Sequence, residues 1–175
     1  MRKTVIAIFT CAAVVGSHRP ARAQSEGPCA LLTTAEVQQA FPQTKPGRLD
    51  RSLEKHGMLR CVWDYPGGSL LILADKDNGT PKEEAKGMTD AFLDPLRPGS
   101  ERNVRYEALP GVGDQAIAIV EREDKAKGFA TSAAILVVQR GQRQVTVMSG
   151  ELGRRDRAEA LRVLAELGKA IAKRL

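Results

Sequence analysis

The sequence predicts an α+β domain in which two or three helices pack on an antiparallel sheet of five or six strands. Three observations predict this class. Apolar residues alternate with polar ones in several short runs, as they do in strands with one buried face. Glycine-containing turns join these runs, which favours antiparallel neighbours. Helical spacing appears in three separate stretches, so the expected order is helix, two strands, helix, four strands, helix.

The first 23 residues have the features of a secretory signal peptide. Arg2 and Lys3 precede an apolar run, and the segment ends in Ala21-Arg22-Ala23, which fits the cleavage signature. The run is shorter than the roughly 20 residues that span a membrane. We therefore expect cleavage near Ala23. The product would be one secreted α+β domain over residues 24–175, periplasmic or extracellular, without a transmembrane segment.

The charge of the chain belongs mostly to this leader. Without it, 23 basic residues face 21 acidic ones, although the whole chain carries a formal net charge of +6. A nucleic-acid partner would require a strongly basic surface. We therefore expect no nucleic-acid partner and a monomeric domain without a cofactor.

Two cysteines, Cys29 and Cys61, lie after the cleavage site. An even number in an oxidising compartment predicts one disulfide, and two free thiols, structural or reactive, are the alternatives. A structural zinc site needs three or four ligands, but His56 is the only histidine after the leader. We therefore expect no metal site, and we expect His56 to lie in a solvated loop.

The first helix is predicted over the sequence LTTAEVQQAFP. Thr33 is placed to cap its N-terminus, Glu36 is placed to return the capping bond, and Pro42 ends it. Residues 43–57 read as a loop.

A hairpin should follow, because the sequence LRCVWDYPGGSLLILAD alternates around a glycine pair. The alternation places Cys61 and Trp63 on one face of the first strand and Asp64 on the other, solvated face. A disulfide from Cys61 would then tie the start of the chain to the sheet.

A second amphipathic helix is predicted from Thr80, with a break near Pro95. Four β-like runs come next and should form an antiparallel meander. Their sequences are NVRYEAL, QAIAIVE, TSAAILVVQ and RQVTVMS.

The sequence PGVGDQA includes Gly111, Gly113 and Asp114. A glycine-rich phosphate cradle lies between a strand and a helix, whereas here a strand follows. A tight turn with glycines at positive φ explains the same residues. Because binding residues concentrate on loops, a binding role for this loop is the alternative.

The last helix is predicted over RDRAEALRVLAELGKAIAKRL, with Asp156 and Glu159 at its start. One apolar stripe is predicted on this helix, and it consists of Leu161, Leu164, Ala165, Gly168, Ile171, Ala172 and Leu175. The other side is basic, so we expect the helix to dock on the sheet with the basic side outward. A basic amphipathic helix can also contact anionic lipid or a partner. Arg154, Arg155 and Arg157 are the candidate residues for that contact.

Several short motifs together resemble a known family. They are C-x-L-L-T-x-x-E-V from Cys29, C-x-W from Cys61 and G-x-G-D-x-A from Gly111. In these the chain resembles small exported bacterial proteins and lipoproteins grouped as a domain of unknown function. The resemblance implies an α+β domain with a cysteine pair and no established activity. The chain lacks the lipid-attachment motif of the lipoprotein members.

The sequence therefore predicts an exported, non-enzymatic binding or interaction module of the cell envelope, with an envelope protein or a small ligand as partner. A small hydrolase that uses acidic residues on the sheet or its loops is the first alternative. A peripheral protein that contacts anionic lipid through the last helix is the second. No catalytic residue is assigned, because no complete catalytic motif is present.

Overall fold

The computed structural model describes residues 27–76, 106–121 and 133–175. These residues form an α+β fold with a seven-stranded antiparallel sheet. The strands are β1 (Arg48–Asp50), β2 (Leu59–Tyr65), β3 (Gly68–Lys76), β4 (Tyr106–Ala108), β5 (Gln115–Glu121), β6 (Ala133–Arg140) and β7 (Arg143–Ser149). The helices are α1 (Thr34–Ala40), α2 (Gly150–Arg154) and α3 (Arg157–Ala172), and short 3-10 turns cover Gly27–Ala30 and Glu54–His56.

The spatial order of the strands is β1-β2-β3-β7-β6-β5-β4. Two meanders, β1 to β3 and β4 to β7, join where β3 pairs with β7, with Ile72 opposite Val147. The meander predicted for the last four strands is confirmed. The predicted count of five or six strands is wrong because β1 belongs to the sheet as well. The predicted helix over residues 80–96 lies outside the described residues.

Strand β1 was predicted as loop. Its three residues are too few to show an alternating pattern, and it lies at one edge of the sheet with β2 as its neighbour. Leu49 pairs with Cys61, which places the strand beside the disulfide. The short helix α2 was also not predicted, since its sequence GELGR holds two glycines, which are poor helix formers. Ser149 starts it by accepting a hydrogen bond from the amide of Leu152.

The main core lies on one face of the sheet, under the helices. Alternate residues of the central strands point into it, including Trp63, Leu70, Ile72, Leu136 and Val147. A second apolar cluster is formed by the alternate residues of β5 and β6 that point to the other face of the sheet. It consists of Ile119, Ile135 and Val137, with Ile117 and Met148 packed against them.

The predicted disulfide between Cys29 and Cys61 is present, with 5.0 Å between the two Cα atoms. Cys29 lies in the 3-10 turn that precedes α1, and Cys61 lies in β2 on the same face as Trp63. All three side chains are buried. The disulfide therefore fixes the start of the domain against the sheet, just before the first helix.

Candidate functional site

The first wall of the candidate site is helix α1. Thr33 caps it, and the reciprocal bond predicted from Glu36 is present: the Thr33 amide donates to Glu36 Oε2 at 2.8 Å. Val37 and Phe41 are almost completely buried, so this side of the helix faces the core. Gln39 remains exposed on the other side.

The second wall is helix α3, which begins at the predicted cap Asp156. Its buried side packs on β5 and β6, as predicted, and consists of Ala160, Val163, Leu164, Leu167, Gly168, Ile171 and Ala172. The residues of α3 and its C-cap that line the groove with polar side chains are Glu159, Arg162, Glu166, Lys169 and Lys173.

An open groove of about 510 Å³ runs between α1 and α3. Its apolar lining comes from Ala40, Pro42, Val163, Leu167 and Ala170. The remaining lining is charged or polar, so the groove has a narrow apolar floor between polar edges. Small-molecule pockets are mostly apolar with a few polar groups, so this lining is more polar than theirs and suits a charged ligand better than an apolar one.

Two arginines hold the walls of the groove together. Arg155, which follows α2, donates from Nη2 to the carbonyl oxygen of Ala40 at 2.8 Å. It also lies over the ring of Phe41, 5.0 Å from the centroid, in a cation–π contact. Near the other end of α1, Arg174 Nη2 lies 2.9 Å from Glu36 Oε1. These contacts fix α1 against the end of the chain, so the groove exists without a ligand.

Every carboxylate that lines the groove is bound to a cation. Glu36 pairs with Arg174, Glu159 with Arg155 at 3.3 Å, and Glu166 with Lys169 at 3.0 Å. Partial burial acts to raise the pKa of Glu36. The bonds from the Thr33 amide, from Arg174 and from the Thr33 hydroxyl outweigh it and lower that pKa. Glu36 is therefore held in its charged form.

Two cations in the groove lack such a partner. The exposed side chains of Arg162 and Lys173 form neither an ion pair nor a hydrogen bond with the described part of the chain. Arg155 is shared between Glu159 and Glu151, which lies outside the lining at 3.5 Å. The groove still has a surplus of positive charge, because its lining carries four cations and three carboxylates.

A buried aromatic stack supports the end of the groove near Arg155. The rings of Phe41 and Tyr65 are stacked, 4.3 Å apart. The Tyr65 hydroxyl lies 2.9 Å from Ser149 Oγ, and burial raises the pKa of Tyr65. Because Ser149 caps α2, this contact links the stack to the helix that positions Arg155.

The predicted loop with Gly111, Gly113 and Asp114 lies between β4 and β5 and takes part in the fold. Asp114 Oδ2 accepts a hydrogen bond from the amide of Gly141, at 2.7 Å, in the turn between β6 and β7. Both loop glycines have positive φ, as the turn hypothesis requires. Val112 between them is 1% exposed and inserts into the core.

The structure separates the three arginines predicted as a contact surface. Arg154 is exposed, whereas Arg155 turns into the groove. Arg157 lies 2.8 Å from Glu107 of β4, where it links the start of α3 to the sheet edge. Asp64 of β2 is 44% exposed and lies 3.5 Å from Arg48, which agrees with its predicted place on the solvated face of the strand.

The groove itself was not predicted. The sequence shows the cations of the last helix, but it does not show which of them are paired or that α1 lies beside them. An outward stripe at spacings of three and four residues was the available signal, and it begins at Glu159 and ends at Lys173.

Within the described ranges, no group of three or more His, Cys, Asp or Glu side chains is placed to hold a metal ion. None of the described helices is both long and apolar enough to cross a membrane. No family model, curated protein or solved structure matches the chain. The family resemblance of the short motifs therefore stays a prediction.

Proposed function

We propose that this protein is an exported, non-enzymatic binding module and that the groove between α1 and α3 is its binding surface. The observation that carries the proposal is the groove, whose walls are held together by Arg155 and Arg174. A surface that is already formed loses little conformational entropy when it binds.

The charges in the groove favour binding over hydrolysis. Acid catalysis needs a carboxyl group whose pKa is raised so that it stays protonated. The pKa of Glu36 is lowered instead, because the bonds from Thr33 and Arg174 outweigh its partial burial. Glu159 and Glu166 each form an ion pair, at 3.3 Å and 3.0 Å. The arrangement therefore favours recognition of a ligand over proton transfer to one.

The packing of α3 also favours the groove over direct lipid binding. A peripheral helix inserts its apolar side into the membrane interface. The apolar side of α3 is occupied by the sheet, with Leu164 and Ile171 fully buried. Lipid insertion would therefore require α3 to leave the core.

The proposal can be tested with a side chain that fills the groove. Gln39→Trp places a large ring at an exposed position that lines it, and Ala35→Trp adds the same ring at an exposed position of α1 outside the lining. Each mature variant would be used for affinity capture from envelope extract, with quantification by mass spectrometry. We expect Gln39→Trp to lose a partner that the wild type and Ala35→Trp retain. Equal capture by all three proteins, or no reproducible partner, would contradict the proposal.

A further inference from the structure

We infer that the partner bound in the groove is an acidic peptide segment, an inference that rests on the proposed function. The inference rests on the surplus of positive charge in the groove. After the pairs formed by Glu36, Glu159 and Glu166 are removed, Arg162 and Lys173 remain as unpaired cations. Charge complementarity selects partners of the opposite sign and excludes basic ones.

The spacing of these two cations fits a peptide. They are eleven positions apart in the sequence, on α3 and its C-cap. At about 1.5 Å per residue the helix separates them by roughly 16 Å. An extended peptide rises about 3.3 Å per residue, so about five or six residues span both cations. Carboxylates near the two ends of such a segment could reach Arg162 and Lys173 together.

The lining also suits a peptide better than an isolated anion. Between the cations, Val163, Leu167 and Ala170 form an apolar floor, and Gln39 offers an amide that can donate to and accept from a peptide backbone. A single phosphate or carboxylate would contact one cation and leave the other unused. Lys173 also complements the C-terminal dipole of α3, so Arg162 should be the stronger anchor.

The test uses the mature protein and a fluorescein-labelled peptide of about six glutamates, a length matched to the spacing of the cations. Fluorescence anisotropy would be measured at low and at physiological salt, with a glutamine peptide of equal length as control. We expect binding of the glutamate peptide that weakens as salt rises, and weaker or no binding of the glutamine peptide. The double variant Arg162→Gln/Lys173→Gln should reduce the affinity about three- to tenfold.

Arg154→Gln is the matched control, because Arg154 is an exposed cation outside the groove lining. It should leave the affinity unchanged, and thermal unfolding should confirm that all variants fold. Equal affinity of the double variant and the wild type, or no binding at millimolar peptide, would overturn the inference. Binding to phosphatidylglycerol vesicles that the double variant weakens, without any binding of the peptide, would also overturn the inference and would identify lipid as the ligand. If the peptide does not bind but Gln39→Trp still abolishes capture of the envelope partner, the proposed function stands and only the inference of an acidic peptide ligand is wrong.

Discussion

Removal of the disulfide between Cys29 and Cys61 should destabilise the fold by about 3 to 4 kcal/mol. The two cysteines are 32 positions apart. In the chain-entropy model, a bridge that closes a loop of this size restricts the unfolded chain by that amount of free energy. A typical domain is stable by only about 5 to 15 kcal/mol, so the bridge contributes a large fraction. Each kcal/mol corresponds to a shift of about 2 to 4 °C in Tm, so the expected loss is roughly 6 to 16 °C.

The assay compares the oxidised protein, the reduced protein and the variant Cys29→Ala/Cys61→Ala in urea. The reduced protein retains both side chains, whereas the variant also leaves small cavities beside Trp63, so the variant should be the least stable. The slope of the unfolding free energy against urea should rise on reduction, because the unfolded chain becomes more expanded.

Two results would refute this reasoning. Alkylation of two thiols without reductant, seen as a shift in intact mass, would show that the bridge is absent from the protein. Equal urea midpoints for the oxidised and reduced proteins would show that the bridge does not constrain the unfolded state as the loop length requires.

Three further predictions concern positions with tight packing or altered ionisation. Gly47→Ala would place its Cβ 2.6 Å from the ring of Trp63, so we expect a loss of about 1 to 3 kcal/mol in urea unfolding. Gly153→Ala would place its Cβ 2.5 Å from backbone of β6, which cannot yield as a side chain can, so its Tm should fall further than that of Gly47→Ala. Bonds from the Ser52 amide and hydroxyl and from Arg60 lower the pKa of Asp50 to about 2. These bonds stabilise the fold while Asp50 is ionised. Their contribution to the unfolding free energy is therefore present above about pH 4, the usual aspartate pKa, and is lost as pH falls towards 2. In Asp50→Asn this part of the pH dependence should vanish.

Most of the sheet and the long helix could be predicted because each carries its own local pattern. The runs QAIAIVE and RQVTVMS coincide with β5 and β7, and α3 begins at the predicted cap Asp156. Strand β1 has three residues and obtains its stability from pairing with β2, so no local pattern marks it. The pairing of β3 with β7 joins distant parts of the chain, and alternation within a strand does not indicate which strand lies beside it.

The predicted apolar side of α3 is centred on slightly different residues from the side that is buried in the structure. The expected stripe included Leu161 and Ala165, which are only partly buried, whereas Ala160, Val163 and Leu167 are buried. Helix α3 packs on β5 and β6 and also contacts α1. The contact with α1 widens the apolar stripe beyond what the sheet alone requires, and the sequence does not show that contact.

The cations of the last helix illustrate why the groove could not be read from the sequence. In the sequence they form one basic group, and a basic group at a helix C-terminus has a general explanation in the helix dipole. In the folded protein these cations fall into two sets that differ in their contacts. Arg155, Arg157 and Arg174 bind a carbonyl or a carboxylate on another element and hold the fold together. Arg162 and Lys173 are not used in this way, and both line the groove. An unpaired exposed cation gains little stability for the fold. Under the proposed function, Arg162 and Lys173 are therefore the two cations of the groove that remain available to an acidic ligand.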